Sequence, residues 1–222
     1  NAGYRYNIAG IARDDKGGLN QKQAWSTHTN KEVLIATTGL ANTNGENQVR
    51  LDDEQYLLWG DNGKVKDPIV HLPKHPSLNY RMEAIWKVQN TNQVGTVRLA
   101  WPKKTNINWV LVLSTDETFD AQDAQYPLSG TITVQDTPYA YVDITLPDGI
   151  YFTLATNTPA PGGVMPAVWY RSDAEAKPYS LFSDNGTTVA EDNKAIAQWN
   201  DFYQSEFSLT PITASSKPTF SD

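Results

Sequence analysis

The sequence lacks cysteine altogether and has no long apolar run. With no cysteine among its 222 residues, disulfide bonds, thiolate catalysis and cysteine-based metal sites are excluded. The longest apolar run, Trp109–Leu113, is far shorter than the roughly 20 residues that a membrane-spanning helix needs. We therefore expect no membrane insertion. A chain of this length can nevertheless bury a sizeable core without a disulfide or a structural zinc ion.

Positive charge is also scarce. The 18 Lys and Arg residues are outnumbered by 25 Asp and Glu residues, which gives a formal net charge of −7. The basic residues are scattered, and Lys103 and Lys104 form the only adjacent lysine pair. Because a nucleic-acid partner requires a cationic footprint, the sequence predicts no such partner. The acidic balance favours solubility and leaves carboxylates available for divalent cations.

Signatures of the common enzyme classes are missing. The sequence contains no G-x-S-x-G nucleophile motif, no phosphate-binding P-loop, no G-x-G-x-x-G motif and no H-E-x-x-H motif. We therefore predict that the chain is not an enzyme. One alternative stays open, a glycosidase with two carboxylates distant in sequence, because such acids can meet across a cleft.

Period-two alternation is what the sequence does contain, and helical periodicity is almost absent. Met82, Ala84, Trp86 and Val88 share one predicted strand face, opposite Glu83 and Lys87. Such alternation predicts an all-β protein built from antiparallel sheets, and we expect a jelly-roll-like β-sandwich with long loops and an extended C-terminal tail. Further strands are predicted at Val33–Thr37, Gln55–Trp59, Thr96–Trp101, Ile107–Leu113, Thr131–Val134, Tyr139–Leu146 and Ile150–Ala155.

Predicted turns and a change in amino-acid composition divide the chain into segments. Pro147-Asp148-Gly149 lies between two alternating runs and predicts a hairpin, and Asp61-Asn62-Gly63 predicts another turn. A Pro/Gly-rich stretch at residues 157–166 predicts a linker after a β-sandwich module at residues 1–156. The remaining residues, 167–222, have too few strands for a core of their own. We expect this tail to pack on the first domain or on a neighbour.

Several ordered motifs resemble a β-rich module of large bacterial cell-surface proteins and adhesins. The first are IARDDKGGLNQKQ at Ile11–Gln23 and YLLWGDNG at Tyr56–Gly63. Trp86-Lys87-Val88 and LVLSTDETF at Leu111–Phe119 follow in the order typical of that module. The family pattern often has Asp-Thr-Asp-Gly where this chain has Ser-Thr-Asp-Glu. The resemblance spans about residues 4–155. It implies a location on the surface of a bacterium rather than a particular chemical activity.

The tail has a resemblance of its own. AVWYRSD at Ala167–Asp173 and AQWND at Ala197–Asp201 are similar to the opening of a laminin-G or concanavalin-like module. Such modules are frequent neighbours in the same adhesins, so the two resemblances together imply an extracellular, cell-surface location. The sequence begins at Asn1 without a leader, and we expect an interior piece or a processed chain.

The loop after the first motif is the most concentrated polar patch. Adjacent carboxylates and amides on a glycine-bearing loop could bind a sugar or a peptide, or ligate Ca²⁺. They also fit a turn in which Asp and Asn hydrogen-bond their own backbone. Aromatic residues in polar segments could stack on a sugar ring or anchor a peptide, and these are Tyr4, Tyr6, Trp25, Tyr80 and Tyr126. The predicted ligand-binding residues are Asp14, Asp15, Asn20, Gln21, Gln23 and Trp25.

A second acidic cluster follows the strand at residues 107–113. Oxygen ligands at this density suit Ca²⁺, and a solvated acidic loop explains them equally well. Compared with the Asp-Thr-Asp-Gly pattern of the similar family, this chain lacks the first aspartate and the glycine. The predicted metal ligands are Asp116, Glu117, Asp120 and Asp123.

The sequence therefore predicts an adhesion module that recognises a glycan or a peptide on another cell or surface, with Ca²⁺ as its candidate cofactor. The alternative is a structural spacer or filament subunit. In that case the C-terminal tail would complement the sheet edge of a neighbouring module or subunit.

Overall fold

The computed structural model describes most of the first 156 residues and short parts of the tail. The described residues are 3–27, 31–72, 78–103, 107–156, 181–183, 188, 195–200, 208–213 and 217–219. The predicted linker and the motif at Ala167–Asp173 lie outside them. No helix in these ranges is long and apolar enough to cross a membrane.

The described chain contains strands and no helix, which confirms the all-β prediction. The strands of the first 156 residues are β1 (Tyr6–Asp14), β2 (Leu19–Gln21), β3 (Gln23–Thr27), β4 (Glu32–Thr37), β5 (Tyr56–Asp61), β6 (Val70–His71), β7 (Tyr80–Arg81), β8 (Trp86–Thr91), β9 (Thr96–Pro102), β10 (Val110–Ser114), β11 (Ala124–Pro127), β12 (Gly130–Val134), β13 (Thr137–Thr145) and β14 (Tyr151–Thr156). Those of the tail are β15 (Leu181–Phe182), β16 (Gln198–Asn200) and β17 (Ser208–Leu209).

Two antiparallel sheets form the sandwich. The large sheet has the strand order β11-β10-β14-β8-β5-β1-β2, with β7 beside β14 and β6 beside β7. The small sheet has the order β12-β13-β9-β4-β3. The tail strands form a third sheet, β15-β16-β17, and none of their described pairings joins a strand of the sandwich.

The chain passes directly from one sheet to the other at both lateral edges. Strands β2 and β3 are separated only by Lys22, yet β2 pairs with β1 in the large sheet and β3 pairs with β4 in the small sheet. At the opposite edge Leu128 and Ser129 separate β11 from β12, which likewise belong to different sheets. Such strands that switch sheets make the corners of a sandwich.

A cluster of aromatic rings fills the space between the sheets. Trp86 stacks on Phe152, with ring centroids 5.2 Å apart and planes at 7°. Trp101 meets Trp86 edge to face at 6.2 Å and Trp109 at 6.1 Å. All three tryptophans are buried, as their strand positions predict. Their indole N–H groups have no hydrogen-bond acceptor among the described residues, so packing alone fixes their positions.

The outer face of the large sheet is covered over part of its width. Val112 on β10 packs with Phe119, Leu72 and Leu78, which lie in loops between the strands. This explains why residues 107–113 are nearly continuously apolar, since β10 is buried on both faces. The face of β1, β5 and β8 lies beside this covered region.

One turn prediction is wrong. Asp148 and Gly149 connect β13 to β14, but these strands lie in different sheets and do not form a hairpin. Gly149 adopts a left-handed conformation with φ of 76°, and its N–H donates to the Val88 carbonyl at 3.0 Å. Asp148 Oδ1 accepts the N–H of Asn90 at 2.9 Å. These two hydrogen bonds bind the turn to β8. The segments before and after the turn are each apolar on one face, so each can line a different sheet.

The aromatic core predicts a large stability loss when its central ring is removed. Trp86→Ala should lower the free energy of unfolding by about 3–5 kcal/mol, the range for truncating a buried large aromatic side chain. Urea unfolding followed by circular dichroism measures this change. Val49→Ala, at a side chain that is 41% exposed, is the control and should change stability by less than about 0.5 kcal/mol. Equal losses in both variants would contradict the packing described.

Candidate functional site

The β1–β2 turn uses its predicted ligand carboxylates to hold its own shape. Asp14 Oδ1 accepts the N–H of Gly17 at 2.9 Å, and Asp14 Oδ2 accepts the Tyr56 hydroxyl at 3.0 Å. These two hydrogen bonds, first from Gly17 and then from Tyr56, lower the pKa of Asp14. Asp15 binds Arg13 through two hydrogen bonds of 2.8 and 2.9 Å. These contacts support the interpretation that this segment is a turn held by the hydrogen bonds of its own Asp side chains.

The amides of the same motif hold the corner at Lys22. Gln23 forms a two-way amide pair with Ala41, donating to its carbonyl at 2.8 Å and accepting its N–H at 3.2 Å. Asn47 is fully buried, and its Oδ1 accepts the Thr37 hydroxyl at 2.9 Å. Lys22 is also buried, and its ammonium donates to the Asn47 carbonyl. These contacts bind residues 41–47 to the strands.

The remaining predicted ligand residues have similar roles. The Asn20 carbonyl accepts the side-chain amide of Asn44 at 2.8 Å, and the Gln21 amide donates to the Gln23 carbonyl. Trp25 Nε1 donates to the Tyr139 hydroxyl at 3.0 Å. Burial raises the pKa of Tyr139. The structure thus distributes the six predicted residues along the turn and the corner, and each of them makes a hydrogen bond within the fold.

The second acidic cluster also caps turns. Asp116 Oδ1 accepts the N–H of Thr118 at 2.7 Å, and Asp120 Oδ1 accepts that of Gln122 at 2.8 Å. Asp123 Oδ2 accepts the N–H of Asp120 at 2.8 Å. Within the described ranges, no three acidic or histidine side chains converge on a site that could hold a metal ion. The Ca²⁺ site stays a prediction.

A groove on the outer face of the large sheet is a concave feature that the loops do not account for. It encloses about 190 Å³ across the central strands β1, β5 and β8. Ile8 and Leu58 expose 62% and 38% of their surfaces there, which is unusual for large aliphatic side chains on one sheet face. The groove is lined by Tyr4, Arg5, Ile8, Leu58, Trp59, Gly60, Lys87 and Gln89.

The N-terminal segment forms one wall of this groove because β5 carries a glycine beneath it. A Cβ atom at Gly60 would lie 2.6 Å from the Tyr4 carbonyl oxygen, so a side chain there would displace the segment. The Tyr4 ring packs edge to face on Tyr151, with centroids 5.3 Å apart. Burial, followed by the charge and hydrogen bond of Glu117, raises the pKa of Tyr4.

Lys87 supplies a fixed positive charge to the groove. Its ammonium donates to the Tyr151 hydroxyl at 2.6 Å and lies 4.4 Å from the Tyr151 ring centroid. A cation held against an aromatic ring in this way is stabilised by the ring's electron density. The lining residues thus combine apolar surface, two aromatic residues of which Trp59 is buried, one amide and two cations.

A buried ion cluster lies at the end of β5, where the sequence predicts only a turn. Asp61 is fully buried, and its Oδ2 accepts the side-chain amide of Asn7 at 2.7 Å. Lys66 lies 3.5 Å from Asp61 Oδ2 and 3.3 Å from Glu32 Oε2. Because Asp61 belongs to the large sheet and Glu32 to the small one, Lys66 connects the two sheets electrostatically.

The comparison with known families identifies the chain only at the level of a family. Residues 1–150 match the model of a family described as a domain of unknown function, DUF8202. The chain belongs to that family. No curated protein and no solved structure matches it. In this DUF8202 chain the match includes the turn, the corner and the groove, and it ends before β14.

The ion cluster predicts a strong effect when its cation is removed. Lys66→Met should lower the free energy of unfolding by about 3 kcal/mol, because it leaves the buried Asp61 carboxylate without its positive partner. Lys64→Met removes an exposed lysine two residues away and serves as the charge-matched control, with an expected change below about 0.5 kcal/mol. Chemical denaturation of both variants measures the difference. Equal stability of the two variants would show that the cluster contributes nothing.

Proposed function

We propose that this chain is a non-enzymatic adhesion module of a bacterial surface protein and that it binds a glycan through the groove on the large sheet. The observation that carries the proposal is the groove itself, with Ile8 and Leu58 exposed beside Tyr4, Lys87 and Gln89. A binding site typically combines apolar surface with a few polar groups that orient the ligand. The resemblance of the sequence motifs to adhesin modules supports the bacterial surface as the setting.

A glycan fits the position of the groove better than a peptide does. Extended peptides commonly bind by adding a strand to an exposed sheet edge. The groove instead lies over β5, which is already paired with β1 on one side and with β8 on the other. Recognition there must use side chains. Lys87 and Gln89 can hydrogen-bond sugar hydroxyls, while Ile8, Leu58 and the Tyr4 ring can pack against the apolar face of a sugar ring.

The described loops support this choice of site. The carboxylates of Asp14 and Asp15 and the amide of Gln23 already accept or donate hydrogen bonds within the protein. Using them to bind a ligand would break contacts that hold the turn and the corner. In the groove, by contrast, the side chains of Ile8, Leu58 and Gln89 are exposed on the outer face of the sheet.

The groove predicts a selective loss of glycan binding. A double variant, Ile8→Asn with Leu58→Asn, should weaken binding to any glycan that the wild type captures on an array by about tenfold, equivalent to ~1.4 kcal/mol. A matched control, Leu19→Asn with Val49→Asn, changes two aliphatic side chains that are 42% and 41% exposed elsewhere. Its binding should equal that of the wild type. Failure of the wild type to bind any glycan, or unchanged binding in the groove variant, would refute the proposed site.

Two observations favour the structural alternative. The described tail strands pair with one another rather than with the sandwich, and Ile212 and Leu209 expose 98% and 52% of their surfaces. An apolar tail of this kind could associate with a neighbouring subunit. On that alternative the full chain should form concentration-dependent oligomers in light scattering, and a chain ending at residue 156 should stay monomeric. A full chain that is monomeric at all concentrations would exclude assembly through the tail.

A further inference from the structure

The groove has a charge opposite to that of the chain as a whole. The protein carries a formal net charge of −7, yet the two charged residues that line the groove, Arg5 and Lys87, are both basic. A concentration of one sign of charge in a concave surface attracts a ligand of the opposite sign. An acidic chain would not by itself produce this local excess of positive charge. The excess is therefore a specific feature of the groove.

Neither cation is neutralised by a carboxylate in the described part of the chain. Other basic side chains form close ion pairs, as Arg98 does with Asp143 at 2.7 Å and Lys66 with Glu32 at 3.3 Å. Lys87 instead contacts Tyr151, and Arg5 lies 5.8 Å from the Tyr6 ring centroid. An ammonium group has three N–H donors, so the Tyr151 contact leaves donors of Lys87 for a ligand.

None of the eight lining residues is acidic. Glu117, which is not among them, is the carboxylate close enough to Tyr4 to raise the pKa of its hydroxyl. The Tyr151 ring and hydroxyl hold the Lys87 ammonium in place. A fixed cation loses little side-chain entropy when it binds an anion.

We propose that the ligand of the groove is an acidic saccharide, whose carboxylate or sulfate group binds Lys87 and Arg5 while its sugar ring packs on Ile8, Leu58 and Tyr4. This inference rests on the proposed glycan-binding function and adds the chemical class of the ligand. Charge-assisted hydrogen bonds to Lys and Arg are stronger than neutral ones. The neutral counterpart of the same saccharide would leave both cations without their anion.

The test is calorimetric titration with matched pairs of oligosaccharides. Each acidic member, an oligogalacturonate or a sulfated galactan fragment, is compared with its carboxyl-reduced or desulfated counterpart. The variants are Lys87→Met and Arg5→Met, and Lys16→Met in the exposed β1–β2 turn is the charge-matched control. Hexaglutamate tests whether negative charge alone is sufficient. The uronate and sulfate arms distinguish the two sources of the anion.

The expected result is that at least one acidic member binds about tenfold more tightly than its neutral counterpart. That preference should disappear in Lys87→Met or Arg5→Met, persist in Lys16→Met and weaken as salt is raised. Equal binding of both members, lost in the Ile8→Asn, Leu58→Asn variant, would overturn this inference and keep the glycan site. Hexaglutamate binding as tight as that of the acidic saccharide would also overturn it. Absence of binding to every saccharide would overturn both proposals.

Discussion

The crossing of the chain between the two sheets at Lys22 is the constraint on which the rest of the structure depends. Here the strand leaves the large sheet and enters the small one within a single residue. Such an abrupt change leaves backbone groups without sheet partners, and they must be hydrogen-bonded if they are buried. The Asn44 side chain accepts the Lys22 N–H, and the Lys22 carbonyl accepts the N–H of Thr37 and the side-chain amide of Asn47. Side-chain amides thus supplement the strand pairing at the crossing.

The corner at Lys22 explains why some polar side chains serve the fold while other parts of the surface can bind a ligand. The polar R-D-D and N-Q-K-Q segments look like a binding patch in the sequence, yet their side chains hold the turn and the corner. The side chains that line the groove on the outer face of β1, β5 and β8 do not hold the turn or the corner. At Gly60 the N-terminal segment lies close enough to the sheet to form a wall. The resulting groove combines exposed aliphatic side chains with the cations Arg5 and Lys87, which is why we place ligand binding there.

Alternation predicted much of the sandwich because it depends on local sequence. The bounds of strands β4, β5, β9, β12, β13 and β14 lie within two residues of those predicted. The assignment of strands to sheets was harder to predict. The Asp148-Gly149 turn has hairpin chemistry, but its neighbours Asn90 and Val88 are about 60 residues away in the sequence. Asp61 likewise reads as a turn residue, and only the fold brings Lys66 and Glu32 to it.

The candidate site was even less accessible to sequence reasoning. Its residues come from three separate segments, near residues 4–8, 58–60 and 87–89, which no local pattern connects. Leu58 lies in the apolar run of β5, where a solvent-facing leucine looks the same as a buried one. Two partial signals were present. Tyr4 stands in a polar segment, and the alternation of β8 places Lys87 opposite the buried Trp86 and Val88.

The most direct test of the account is to map the amides that respond when a captured oligosaccharide is titrated into the isotopically labelled protein. Backbone chemical shifts report the contact surface residue by residue. The account predicts that the largest changes fall at residues 4–8, 58–60 and 87–89 and that residues 14–25 and 116–123 stay unchanged. The largest changes at the β1–β2 turn or the 116–123 loop would contradict it and would return ligand binding to the acidic loops.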